Sequence, residues 1–188
     1  MASRPEDSSE LDVVDALKRE HDALRGYLQE AEPSLASSAE SSFAKTLVLA
    51  GASYLEHSVQ QCIIALYRDV APEEGPVVQF VSNKAIARQY HTFFEWNAGN
   101  ANSFFAMFGG KLRTAVKELV QKEPDLDTSI RAFLELGGVR NQLVHQNYAA
   151  FTLEKTGDEV YALFTEARKF VVRLPELLRL GSSAGNSE

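Results

Sequence analysis

LELGGVRNQLVHQN, residues Leu134 to Asn147, decides how the rest of the chain is read. Its apolar residues return at helical spacing, yet two glycines interrupt it and an arginine stands among them. At about 100° per residue, Leu126, Phe133, Leu136, Gly137, Leu143 and Val144 all fall within about 60° of Arg140. Arg140 therefore lies near the middle of the stripe that should face a core. His145 falls about 140° further round, at the edge of that face with Leu134, Gly138 and Asn141. A buried, unpaired guanidinium is costly, so Arg140 needs an acid or a destination outside the core.

An earlier helix offers the acid. Leu49, Ala52, Val59, Ile63 and Tyr67 lie within about 60° of Glu56, which places a carboxylate inside a second apolar arc. Gly51, Ala52 and Ser53 are small enough to let another helix come close. Two charges of opposite sign on two core faces predict one buried pair, with Glu56 holding Arg140 by charge-assisted hydrogen bonds and aiming it at a cleft that His145 also borders. The plainer alternative is a structural ion pair, with His145 a surface residue or a partner of the helix C-terminal dipole. Gly137 and Gly138 each cost roughly 1 kcal/mol against alanine in mid-helix, which points to a packing or contact reason for them.

Working outward, the pattern is helical throughout, and the expected fold class is all-α, a bundle of about five to seven helices. Val13, Leu17, His21, Leu24 and Leu28 mark a first helix from Leu11 to about Ala31. A second runs from about Ser38 to Val70 and stops at Pro72. AIARQYHTFFEW, Ala85 to Trp96, reads as helix and its aromatic group, like that of FFAMF, as core, with base stacking the alternative; NAGN breaks it, and NSFFAMFGG is a short helix closed by glycines. KLRTAVKELVQK is a basic amphipathic helix carrying Lys111, Arg113 and Lys117, a candidate phosphate-tracking face or simply a solvated one. Asp127 or Thr128 is the expected cap of the next helix. Thr156 with Glu159 forms a capping box for the last, which runs to about Leu180, with Pro175 expected to kink or end it.

With 188 residues, 45% of them hydrophobic, one domain over residues 11–180 is expected, between polar tails at 1–10 and 181–188. A net charge of −7 argues against general nucleic-acid coating but leaves room for a local basic patch. The single cysteine, Cys62, fits a reducing, cytoplasmic setting, and no apolar run suggests a leader or a membrane span. His21, His57, His91 and His145 show no zinc spacing, and neither a P-loop nor a dinucleotide fingerprint is present, so no metal or cofactor is expected.

Arg140-Asn141-Gln142-Leu143-Val144-His145 matches the R-x4-H motif of the HEPN superfamily, helical bundles that include metal-independent endoribonucleases. ASYLEHSVQQCI, then NSFFAMFGGKL, then LELGGVRNQLVHQN resembles the RiboL-PSP-HEPN branch, over roughly Thr46 to Leu153. The resemblance implies a homodimer in which two motif helices face each other and the paired Arg140 and His145 residues of both protomers make one composite site for RNA. In it His145 would exchange protons, Arg140 would stabilise phosphoryl oxygens, Asn141 would contact phosphate or base, and Glu56 would orient Arg140. Gly137 and Gly138 would admit a partner helix or the RNA backbone. The implied setting is a toxin–antitoxin or phage-defence system, with an antitoxin or partner protein. Some relatives carry a tyrosine two residues after the histidine; here Tyr148 is three after it, and no role transfers. The competing expectation is a non-catalytic helical module that binds RNA, nucleotide or protein.

Overall fold

The computed structural model describes residues 8–69, 75–86 and 89–180. Among them are seven α-helices and no strand: α1 (Ser8–Ala31), α2 (Pro33–Arg68), α3 (Pro76–Phe80), α4 (Asn102–Ala106), α5 (Gly110–Lys122), α6 (Pro124–His145) and α7 (Gly157–Arg179). The all-α expectation holds. Residues Ser8 to Glu10, expected in a tail, already belong to α1; residues 1–7, residues 181–188 and the expected stop at Pro72 lie outside the described residues.

The core forms where α2, α6 and α7 meet, with α1 laid on α2. Leu47, Leu55 and Val59 of α2 face Ile130, Phe133 and Leu136 of α6 and Phe164, Phe170 and Leu174 of α7 in one buried cluster. Gly51 is what brings α7 in close: a Cβ there would stand 3.0 Å from the Phe164 ring. Such close fitting of large apolar side chains is the main stabilising term of a bundle this size.

Element ends differ from the sequence reading in identifiable ways. Helix α2 begins at Pro33, five residues before Ser38, because proline at the first helical position loses no intrahelical hydrogen bond. Pro124 opens α6 in the same way, so Asp127 and Thr128 lie inside the helix rather than capping it. There Asp127 accepts from Arg131 Nε at 2.7 Å and Thr128 donates back to the Pro124 carbonyl at 2.9 Å. The Thr156–Glu159 capping box is present as expected, with both reciprocal bonds made. Pro175 does not end α7. Leu174, Leu177 and Leu178 are buried on either side of it, and their packing outweighs a helix-interior proline penalty of about 3 kcal/mol.

The largest departure is Ala85 to Trp96. Instead of a continuous helix, α3 runs into a π-type turn at Val81–Ile86, and a single 3-10 turn follows at Tyr90–Thr92. Phe93 and Phe94 are then buried as anchors. Phe94 stacks on Phe104 of α4, with ring centroids 4.6 Å apart, and meets Phe133 of α6 edge-on at 4.8 Å. The path of this segment is thus set by contacts with α4 and α6, distant in sequence, and tertiary packing overrides the local helical pattern.

Away from these aromatics, a polar network ties α1, α2 and α7. His21 stacks flat on Phe43 at 3.5 Å and shares a 2.9 Å hydrogen bond with Glu40. Glu40 also accepts from the Gly157 amide at 2.7 Å, and Asp158 is bracketed by Lys18 at 2.7 Å and Arg25 at 3.0 Å. Burial works to raise the Glu40 carboxyl, but the His21 and Gly157 hydrogen bonds outweigh it and hold it below the ordinary value. Hydrogen bonds from Lys18 and Arg25 do the same for Asp158.

Candidate functional site

Arg140, Asn141 and His145 are delivered by the C-terminal turns of α6, Glu56 by the middle of α2, and Tyr90, His91 and Trp96 by the irregular segment before α4. Together with Val144 these residues line one open cleft of about 450 Å³, within the size range of small-ligand sites. Below it a recess of about 10 Å³, room for about one water, reaches Ala52, Leu55, Phe133 and Gly137.

The structure brings Glu56 and Arg140 together, but not as the buried, hydrogen-bonded pair the helical wheels predict. Arg140 Nη2 stands 3.9 Å from Glu56 Oε2, beyond hydrogen-bond range, and the two side chains are 35% and 30% exposed. The reason is reach. Arg140 leaves the apolar stripe of α6 along its aliphatic stem and puts its charged head at the cleft mouth. There Arg140 Nη1 donates to the Asn141 side-chain oxygen at 3.2 Å, while Glu56 accepts from Gln60 Nε2 at 3.4 Å. A loose, half-exposed pair of this kind is worth about 1 kcal/mol or less to stability. What it supplies is a cation held next to, and not neutralised within, an open space.

His145 is the last residue of α6 and is exposed on the cleft wall. Behind it the chain is tethered by Lys45 of α2, a buried lysine whose ammonium donates to the Tyr148 carbonyl at 3.1 Å and lies over the Tyr148 ring.

Gly137 is explained by an intramolecular contact. A Cβ there would sit 2.0 Å from Trp96 Cζ3 and 2.4 Å from Cε3, so the indole lies flat against α6 only because residue 137 has no side chain. The close approach expected of a partner helix or RNA is made instead by Trp96. Gly138 is less constrained, its Cβ position 4.0 Å from Trp96, and it is not part of the cleft wall. Lys111, Arg113 and Lys117 are exposed on α5, with Leu112 and Val116 buried on its other side, and none of them lines the cleft.

Tyr90, His91 and Trp96 were missed as a group, because their aromatic neighbours Phe93 and Phe94 do belong to the core. The available signal was the paired oddity of a glycine in a core stripe and a lone tryptophan. Trp96 Nε1 donates to the His91 carbonyl at 3.2 Å, which fixes the turn on which His91 sits. Tyr90 is half-buried; that burial and the Glu56 carboxylate push its phenol well above the ordinary value, with Arg140 offsetting part of the rise. Its hydroxyl is thus a neutral donor at ordinary pH. Among the described residues no three His, Cys, Asp or Glu side chains are grouped as a cation site would need.

A helical bundle with R-x4-H at the end of a core helix, faced by a carboxylate from an earlier long helix, defines a HEPN-type domain. The RiboL-PSP-HEPN family model matches residues 15–179, and the chain belongs to that family. Comparison with curated proteins and with solved structures gave no match. No helix among the described residues is long and apolar enough to cross a membrane.

Proposed function

We propose that this protein is an endoribonuclease that cleaves RNA by acid/base catalysis without a metal ion, acting in a toxin–antitoxin or defence setting. The observation that carries the reading is the cleft itself. It gathers Arg140, Asn141, His145 and Glu56, the four residues the family resemblance marks, in one open space. Phosphodiester cleavage at a 2′-hydroxyl needs a proton acceptor, a proton donor and a cation beside the phosphorane oxygens. His145 exchanges the proton, Arg140 meets the phosphoryl oxygens, Asn141 binds phosphate or base, and Glu56 keeps Arg140 turned toward the substrate. The products are a 2′,3′-cyclic phosphate and a 5′-hydroxyl.

A homodimer is part of the proposal, because Val144 within the motif and Tyr148 just after it stand at 51% and 44% exposure and offer a second copy an apolar seat. An antitoxin would act by covering the same mouth. The exposed cations Lys111, Arg113 and Lys117 contact phosphates further along the strand, and Gly138 serves only as backbone near it. The test is incubation of total cellular RNA with the folded protein in EDTA. Cleavage that His145→Ala abolishes without unfolding supports the reading. A non-catalytic module would bind RNA and leave it intact.

A further inference from the structure

A nucleotide has a flat, apolar end as well as a charged one, and Arg140 and His145 answer only the charged one. Three aromatic side chains share their cleft. Tyr90, His91 and Trp96 line the same open space of about 450 Å³ as Arg140, Asn141 and His145. Phe93 and Phe94, from the same segment, are core, so the segment divides its aromatics between the interior and the cleft. Trp96 is the best fixed of the three. Its Cζ3 lies 2.0 Å from where a Gly137 Cβ would stand, the Phe94 and Tyr90 ring centroids are 5.3 and 5.8 Å away, and its N–H donates to the His91 carbonyl at 3.2 Å. Yet the indole is only partly buried, and it lines both the cleft and the recess beneath it. Helix α6 thus gives up a side chain in the middle of its apolar stripe to seat an aromatic ring that is not wholly core.

We propose that this aromatic wall is a base-binding subsite: Trp96, with Tyr90 and His91 beside it, takes the base of a nucleotide whose phosphate Arg140 holds. The inference rests on the ribonuclease reading above and adds what the strand offers besides phosphate. The occupant follows from what the cleft puts together. Its guanidinium is half-exposed and stands 3.9 Å from Glu56, without a hydrogen bond to it. An apolar ligand would leave that cation without an acceptor, and a bare phosphate would leave the aromatic wall in water. A nucleotide satisfies both, and the cleft falls within the size range for such a ligand. Asn141, whose oxygen accepts from Arg140 at 3.2 Å, keeps its amide N–H groups for an acceptor on the base or sugar. Every base has a π-face, so recognition by stacking is tolerant of sequence and strongest for the larger purines. A composite site of two protomers keeps its paired Arg140 and His145 and gains one such wall from each.

Trp96 is the chain's single tryptophan, so its fluorescence reports on the subsite directly. The folded wild-type protein is titrated with adenosine monophosphate, uridine monophosphate and ribose 5-phosphate, excited where nucleotides do not absorb. The expected result is saturable quenching by both nucleotides, at lower concentration for adenosine, and none by ribose 5-phosphate. Arg140→Ala should weaken binding of both nucleotides together. In RNA cleavage, Trp96→Leu should raise KM roughly 5- to 150-fold, the value of one base stacked on an aromatic side chain, while Trp96→Phe keeps most of the affinity. No quenching by either nucleotide, or equal quenching by ribose 5-phosphate, overturns the subsite. Quenching indifferent to Arg140→Ala, or a folded Trp96→Leu with unchanged KM, overturns it too. The ribonuclease reading fails separately: a wild type that shows the expected quenching and leaves RNA intact overturns that reading and not the base seat, whereas cleavage without quenching overturns the base seat alone.

Discussion

Arg140 and Gly137 show how single residues serve the site by being unusual where they stand. An arginine in an apolar stripe is tolerated because its head reaches an open mouth, 3.9 Å from Glu56. A glycine in mid-helix is retained because an indole occupies its side-chain space. The two adjacent glycines should therefore respond oppositely to alanine. Gly137→Ala forces Trp96 off α6 and should cost about 1–3 kcal/mol, the usual range for overpacking. Gly138→Ala meets nothing closer than 4.0 Å and should be neutral or stabilising by up to about 1 kcal/mol, the helix-propensity gain. Urea unfolding of both variants checks this, and equal effects would contradict the assigned contact. Because Trp96 lines the cleft beside Arg140 and Asn141, Gly137→Ala should also slow RNA cleavage more than its loss of stability explains.

At the scale of elements, the polar network joining α1, α2 and α7 should give the bundle an acid-sensitive seam. Glu40 and Asp158 are both held below their ordinary values of 4.5 and 3.8. A depressed carboxyl contributes stability that is fully present above its unfolded value and is lost as pH falls through the folded one. Glu40→Gln should therefore lower Tm at pH 6 and converge with wild type toward pH 3. A gap in Tm that does not change with pH would contradict the role given to Glu40. These elements also show what the sequence makes legible. The long periodic helices and the Thr156 capping box follow from spacing alone, because helical period and capping are local properties; the helical wheels bring Glu56 and Arg140 together but miss that the pair is loose and half-exposed. Ala85 to Trp96 does not, because its path is set by Phe94 packing on Phe104 and Phe133, contacts that no window of local sequence contains. Pro175 is a second instance, a local helix breaker outvoted by buried leucines from the same helix. The site divides in the same way: α2 and α6 announce their polar residues by misplacing them in apolar stripes, whereas Tyr90, His91 and Trp96 become visible only once Trp96 is seen against Gly137.

At the scale of the molecule, an acidic chain of net charge −7 must engage a polyanion through local cations. The exposed face of α5 is the proposed RNA-binding surface beyond the cleft. Lys111→Glu with Lys117→Glu should weaken RNA binding across sequences and reduce the slope of log K against log salt by roughly 1.4, about 0.7 for each single-strand phosphate that is no longer neutralised. An unchanged slope in a filter-binding or anisotropy titration would remove α5 from the interface. The catalytic claim belongs to the same scale, since it needs α2, α6 and the segment before α4 at once. Its most direct test is single-turnover cleavage of a defined RNA in EDTA by wild type, Arg140→Ala and His145→Ala, with the new ends identified chemically. The account predicts cutting by wild type alone among folded proteins, leaving 2′,3′-cyclic phosphate and 5′-hydroxyl ends. Intact RNA in every reaction, or equal cutting by all three proteins, would contradict it.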